Sequence, residues 1–309
     1  MVLKQMLELF DILDSPNASG AQVEQYLLSI DPQAEIYVYP LQGPRGSTDM
    51  IKVRIPGSRG EDAPTLGILG RLGGLGARPE RIGFVSDGDG ALAALTAAAK
   101  LLDMKVKGDV LPGDVIISTH ICPDAPVRPH HPVPFMDSPV ETAQVNREEV
   151  SDALDAILSV DTTKGNRLIN GNGIAISPTV KEGYILPVSD DLLDIMQITT
   201  GRLPRVFALS TYDITPYGNE LYHLNSILQP STASAAPVVG VAITTETAVP
   251  GCATGASHYA DVEEAARFLV ETAKAFTAGQ CSFYDEDMYR QAQKRYGSMT
   301  QIQTMGQEG

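Results

Sequence analysis

RIGFVSDGDGALAALTAAAKLLDMKVKGDVLPGDVIIST, residues 81–119, sets a short apolar run, an Asp-Gly-Asp-Gly turn, an alanine-rich stretch and a second apolar run in series. Arg81–Val85 and Asp114–Thr119 have the length and β-branched content of buried strands. From Gly90 the residues are strong helix formers, and Leu92, Leu95 and Leu102 fall on one side. Strand, helix and strand in succession argue for parallel strands with a helix laid over them.

The same alternation extends outward. Upstream, Thr65–Leu69 reads as a strand joined to Arg81–Val85 by the glycine-rich GRLGGLGARPE. Before it, Glu35–Leu41 and Asp49–Ile55 flank the turn-rich QGPRGST, which predicts a hairpin. The first thirty residues predict two short helices. Met6, Phe10 and Leu13 form one stripe, and Ser19 with Gln22 has capping-box spacing ahead of Val23, Leu27 and Ile30. Downstream, Asn146 and Glu149 repeat that spacing and open an expected helix with Val150, Leu154 and Ile157 inward. Gly173–Ser177, Arg205–Ser210 and Val238–Thr244 read as strands, and Asp190–Thr199 as a helix. In a last helix, capped by Asp261 and Glu264, Val262, Ala266, Leu269, Ala273 and Phe276 share a face. The expected fold class is therefore α/β: three layers, with a mostly parallel mixed sheet and helices on both faces. The expected organisation is a single domain over residues 1–309. Residues 1–30 pack on it as a helical hairpin, and a polar tail frays from Arg290 to residue 309.

Charge narrows the function. The formal net charge of −15 repels phosphate backbones and anionic lipid, so nucleic acid and membrane surfaces are unsuitable partners. Aromatic residues make up only 6%, which leaves few stacking platforms for bases. The three cysteines, Cys122, Cys252 and Cys281, form no disulfide framework, and with no signal-peptide pattern at the N-terminus a cytoplasmic location is expected. The expected partner is a small-molecule substrate or ligand, and a homo-oligomer is allowed.

In open α/β sheets ligands sit beyond the carboxyl ends of the strands. Those positions are rich in chemistry: Ser86-Asp87-Gly88-Asp89 after one run, His120-Ile121-Cys122-Pro123-Asp124 after the next, Asp161 after AILSV, and Glu246 then Gly251–His258 after VVGVAIT. Asp87 and Asp89 suit a helix N-cap or a metal-bridging carboxylate. DGDG lacks the remaining positions of a calcium loop. GRLGGLG is followed by Pro79 and a strand rather than a helix, so dinucleotide binding is rejected. His130 and His131 stand among prolines, and His223 stands in YGNELYHLN.

IGFVSDGDGALAAL, GDVIISTHICPDAP, HHPVPFMDSPV and PGCATGASH together resemble the bacterial family known as domain of unknown function 1177. More distantly, the order of elements resembles the catalytic domain of co-catalytic zinc aminopeptidases, a phosphorylase/hydrolase-like fold. That resemblance puts Asp87 at a bridging aspartate, Asp161 at a later aspartate and His258 at a final histidine. His120 stands beside Thr119, where a Glu-Glu pair is expected. A first histidine near Gly70–Gly76 and the general-base glutamate are both missing. The resemblance implies a reduced site for one divalent metal, zinc before manganese, held by Asp87, His120, Asp161 and His258, with Glu246 or Asp124 as base. The implied function is a metal-dependent hydrolase acting on a small amide, dipeptide or modified amino acid. Two other readings stay open. GCATG resembles the Gly-Cys-Thr segment of cofactor-independent amino-acid racemases, with Cys122 and Cys252 as the proton-exchanging thiols. The fold can also be non-catalytic, binding a ligand or a partner.

Overall fold

A computed structural model describes residues 2–71, 83–128, 135–136, 138–163, 165–209, 226–247, 257–300 and 303. Helices α1 (Val2–Leu13) and α2 (Gly20–Ile30) open the chain, and Ser19 Oγ accepts the Gln22 N–H as its spacing predicts. Strands β1 (Glu35–Gly43) and β2 (Gly46–Ile55) form the expected hairpin. Then come β3 (Leu66–Gly70), α3 (Asp89–Val106) and β4 (Val115–Ile121). A small pair, β5 (Val127–Arg128) and β6 (Phe135–Met136), leads to α4 (Thr142–Glu149) and β7 (Ala156–Thr163). After β8 (Gly173–Ile176), β9 (Thr179–Lys181), β10 (Tyr184–Leu186) and α5 (Asp190–Thr200), a 3-10 segment covers Ser226–Thr232. Strand β11 (Val238–Thr244), α6 (Tyr259–Thr277) and α7 (Glu286–Tyr296) follow.

The main sheet runs β1-β2-β4-β3-β7-β11-β9-β10, with β8 also on β11. Its centre, β4-β3-β7-β11, is parallel, as the alternation of elements implies, while the flanking pairs are antiparallel. β3 lies at the switch point: the chain leaves it for β4 on one side and later returns as β7 on the other.

Helix α3 is buried continuously from Asp89 to Ala99 because its alanines let it lie flat on the sheet, between α1 and α6. Gly70 makes that approach possible, since a Cβ there would stand 2.8 Å from Ala94 Cβ. Leu92, Leu95 and Leu102 are fully buried, each contributing about 1.5–3 kcal/mol. Helices α1, α2, α3, α5 and α6 share this core with one face of the sheet. A second, smaller core on the other face gathers Leu69, Leu154, Ile157, Phe207 and the 3-10 residues Ile227 and Leu228. Among the described residues no helix is long and apolar enough to cross a membrane.

Several expectations change. Gly83–Val85 is not a strand, and Arg81 and Ile82 lie outside the described residues. β3 is already flanked on both sides, and the Phe84 N–H bonds Asp14 Oδ1 at the end of α1 (2.6 Å) instead of a strand neighbour. The helix expected to open at Asn146 instead ends at Glu149, because Ile157, Leu158 and Val160 are taken into β7 between β3 and β11. Of the expected strand Arg205–Ser210, the described residues 205–209 carry one bridge, Val206 to Ile176, and Ser210 lies outside the described residues. Helix α6 begins at Tyr259 with His258 as its cap, so Asp261 lies in its first turn.

Residues beyond Arg290 continue α7 to Tyr296 rather than fraying there. Tyr289 packs with Tyr184 and Leu186 of β10, and its hydroxyl donates to Glu182 in the β9–β10 turn. Glu182 holds φ +45 there, the left-handed region that a tight hairpin turn requires. Gln303 Nε2 then donates to the Ser231 and Ser234 carbonyls, at 2.7 and 2.8 Å.

Candidate functional site

Strand alternation divides the carboxyl edge of the sheet between its two faces. In β7, Ala156, Leu158 and Val160 belong to the α3-side core, and Ile157 to the core on the opposite side. By that alternation Thr162 projects toward α3 and Asp161 toward α4. The Thr162 hydroxyl accordingly donates to the Ser86 carbonyl just before α3, at 2.6 Å.

On the α3 side, the starts of α3 and α6 meet the end of β7. A Cβ on Gly90 would stand 2.6 Å from the Arg71 carbonyl oxygen, so only glycine lets the first turn of α3 come this close to the strand ends. The Ser257 hydroxyl donates to Asp89 Oδ1 at 2.6 Å, which ties the segment carrying His258 to α3. Asp89 is only 2% exposed. Burial, reinforced by the charges of Asp87 and Asp261, pushes its carboxyl up to about 8, against the lowering effect of the Ser257 and Thr162 hydrogen bonds. The His258 side chain is 48% exposed, and its Nδ1 lies 3.4 Å from Asp261 Oδ2. Burial also raises the Asp261 carboxyl, with His258, Arg202 and the Gly173 N–H acting the other way. A histidine whose Nδ1 faces a carboxylate presents Nε2 outward.

On the α4 side, register sets a row across three strands. Leu69 of β3 stands between Ser118 of β4 and Ser159 of β7. Beyond that row, the Arg71 N–H continues the ladder to the Val160 carbonyl at 2.8 Å. Arg71 Nη1 donates to Glu149 Oε2 at the end of α4, in a pair whose side chains are 10% and 0% exposed. Burial outweighs the guanidinium and pushes the Glu149 carboxyl up to about 7. His120 is buried, with Nδ1 2.8 Å from the Thr48 hydroxyl, which also donates to the Ile121 carbonyl at 3.1 Å. That contact turns the ring toward β2, away from β3.

The four residues expected to hold one metal are therefore divided. His120 and Asp161 are on the α4 side, with the His120 ring held by Thr48, whereas Asp87 and His258 lie at the helix starts on the other side. Among the described residues no three His, Cys, Asp or Glu side chains stand close enough to hold a metal ion. The residues present do not fit one ion held by all four. Asp124 and Glu246, the expected bases, are exposed, and the Glu246 N–H bonds Asn172 Oδ1 at 3.1 Å. Cys122 is buried, with Sγ 3.6 Å from the Ser47 carbonyl. Burial, then the charge of Asp124, pushes its thiol up to about 12, so it is held as an inert thiol. Cys252, His130, His131 and His223 lie outside the described residues.

Sequence reasoning passed over Arg71, Glu149, Ser257 and Asp261. Arg71 directly follows LGILG and so meets the strand-end rule, but it stands in the glycine-rich GRLGGLG, where dinucleotide binding is rejected. Glu149 and Asp261 were read as capping residues.

A family model described as "Protein of unknown function (DUF1177)" matches residues 40–306. A search of the curated proteins gives no match. Among solved structures, an Acidobacteriales bacterium glutaminyl cyclase is similar with TM-score 0.51 and 15% identity, over 90% of this chain and 94% of that one. The LapA aminopeptidase of Legionella pneumophila gives 0.53 and 12%, over 92% and 71%. The bottromycin maturation enzyme BotP, described in complex with Mn, gives 0.54 and 12%, over 90% and 71%. These likenesses show a shared fold.

Proposed function

The chain belongs to the DUF1177 family, and from that premise and its fold we propose that it is a hydrolase acting on a small amide, dipeptide or modified amino acid. The reaction takes place where the starts of α3 and α6 meet the end of β7. The observation that carries this reading is the Ser257–Asp89 bond, which fixes an exposed His258, backed by Asp261, beside the carboxylates that open α3. Aminopeptidase and glutaminyl cyclase are names of proteins with this fold, which puts amide- and peptide-like compounds first among substrates.

His258 Nε2 takes a proton from water as the water oxygen bonds to the amide carbonyl carbon. Asp261 steadies the imidazolium that forms. The C–N bond then breaks, and the same proton passes to the leaving nitrogen, giving a carboxylic acid and an amine. Asp87 and Asp261 supply the negative field that attracts a substrate ammonium group. Asp89, protonated at neutral pH, holds the two helix starts together without adding a third charge. A divalent metal is the cofactor that the similar folds suggest, and one of those structures is described in complex with Mn. Because the expected ligands do not form one site, no step here runs through an ion. The inert Cys122 gives no support to two-thiol racemisation.

The test is turnover of a panel of dipeptides and aminoacyl amides by the purified full chain, with and without chelation, alongside a metal count. H258A is expected to lose about 10²–10⁴-fold in turnover, and D261N less, with a displaced pH profile. Full activity in H258A sinks the proposal. Saturable binding without turnover by any member leaves the binding-only reading. About one zinc or manganese per chain, lost in H258A, would put a metal on Nε2 in place of the proton.

A further inference from the structure

On its side away from β11, β8 carries one more piece of extended chain. Gly201, with φ +67, turns the backbone at the end of α5, and residues 205–207 then run beside β8. The Ile176 N–H donates to the Arg205 carbonyl and the Phe207 N–H to the Ile176 carbonyl, both at 3.0 Å. In a parallel pair, the residue between two such bonded neighbours turns its own N–H and C=O the other way. Val206 is that residue, so its donor and its acceptor both face out of the sheet. Among the described residues nothing hydrogen-bonds either group. By the same alternation the Pro204 carbonyl and the Ala208 backbone face outward as well. Phe207, buried in the smaller core, pins the segment from the opposite face.

The side chains along this edge are apolar and uncovered. Ile198 is 81% exposed, Leu203 82% and Val206 50%. An unpaired backbone edge beside exposed apolar side chains is a template for a further strand. Charge favours a second copy of the chain as that strand's source. Two chains of net charge −15 repel wherever their carboxylates meet. Residues 195–209 hold no carboxylate and carry two arginines, Arg202 and Arg205. Arg202 is balanced by Glu264, and Arg205 is turned onto the Asn172 carbonyl. A two-fold contact must also be self-complementary. Val206 meets that condition, because it offers one donor and one acceptor on the same side. With the axis at Val206 or at Phe207, Arg205 faces Phe207 or Leu209 of the second copy, so no like charges stand directly opposite.

We propose that the chain pairs with a second copy of itself along residues 204–208, antiparallel and about a two-fold axis. The Val206 N–H and C=O then bond across the axis, and Leu203 and Val206 are covered by the other copy. The sheet continues from one copy into the next through β8. The inference is independent of His258 and of any turnover.

Light scattering and sedimentation of the purified full chain over a wide concentration range test it, with hydrogen exchange read at the Val206 amide. Wild type is expected at twice the chain mass, and its Val206 amide is expected to exchange more slowly as concentration rises. V206K puts a charge on the half-exposed edge position, and A208P removes an outward N–H without touching either bond to Ile176. Both are expected to keep the wild-type circular dichroism and to self-associate about tenfold more weakly or less. Y37K, at a comparably exposed position on β1, is expected to stay paired. Wild type that remains single at every concentration overturns the proposal and leaves this edge to a different chain. Pairing that survives in folded V206K and A208P, or that Y37K abolishes, overturns it too, because the contact would then lie elsewhere.

Discussion

On the α3 side of the strand ends, Asp261 faces a half-exposed imidazole, and Asp87 and Asp261 act on the buried Asp89, whose carboxyl is pushed up to about 8. On the α4 side, one strand residue away, a guanidinium is paired with one buried carboxylate, Arg71 with Glu149. The two groups share strands and differ by a single step of alternation. One carries a half-exposed imidazole, while the other is a closed ion pair. A sheet edge can thus keep reactive groups on one face and a fixed electrostatic support on the other.

The comparison can be broken hardest at the closed face. R71Q leaves Glu149 buried without its cation, and equilibrium unfolding is expected to show a loss of about 3–5 kcal/mol. The double variant R71Q/E149Q is expected to recover most of it. A single variant as stable as wild type would mean that Glu149 is already neutral and the pair contributes little.

The next effect sharpens the open face through pH. The Asp89 carboxyl is raised from 3.8 to about 8 in the folded state, so the fold binds a proton that the unfolded chain has released. Its contribution is complete below pH 3.8 and is lost as pH rises through about 8. Glu149 acts with the same sign up to about 7. D89N is therefore expected to flatten the fall in unfolding midpoint between about pH 4 and 8, by an amount on the order of 1–3 kcal/mol. An unchanged slope in D89N would assign the titration elsewhere. The smallest effect belongs to S257A, which removes one hydrogen bond to Asp89. A stability loss of about 1 kcal/mol is expected, together with a lower kcat at similar KM if His258 is displaced. Loss of stability without any change in kcat would separate the tie from the chemistry.

Much of the architecture was legible because periodicity is a local property. Val238–Thr244 and the alanine-rich α3 could be read directly from their composition. So could the place of His258 just before the last long helix. What could not be read was the face each residue would take. Asp161 and Thr162 are neighbours in sequence yet project to opposite sides, and which side meets α3 depends on packing contributed by distant segments. The Arg71–Glu149 pair joins residues far apart in the chain, and no spacing rule links them. The same holds for α7, whose polar sequence hides the single tyrosine that anchors it.

That anchoring bears on how the rest of the sheet avoids its own kind. β1 ends the sheet with nine residues and carries Pro40, which cannot donate to a neighbouring strand. β10 ends it with only three, and Tyr289 lies over Tyr184 and Leu186. Without α7 that short border would present an uncovered apolar strand to any passing chain. The helix that looked like a loose end is thus a guard against sheet-to-sheet association, and its removal would be felt first as precipitation.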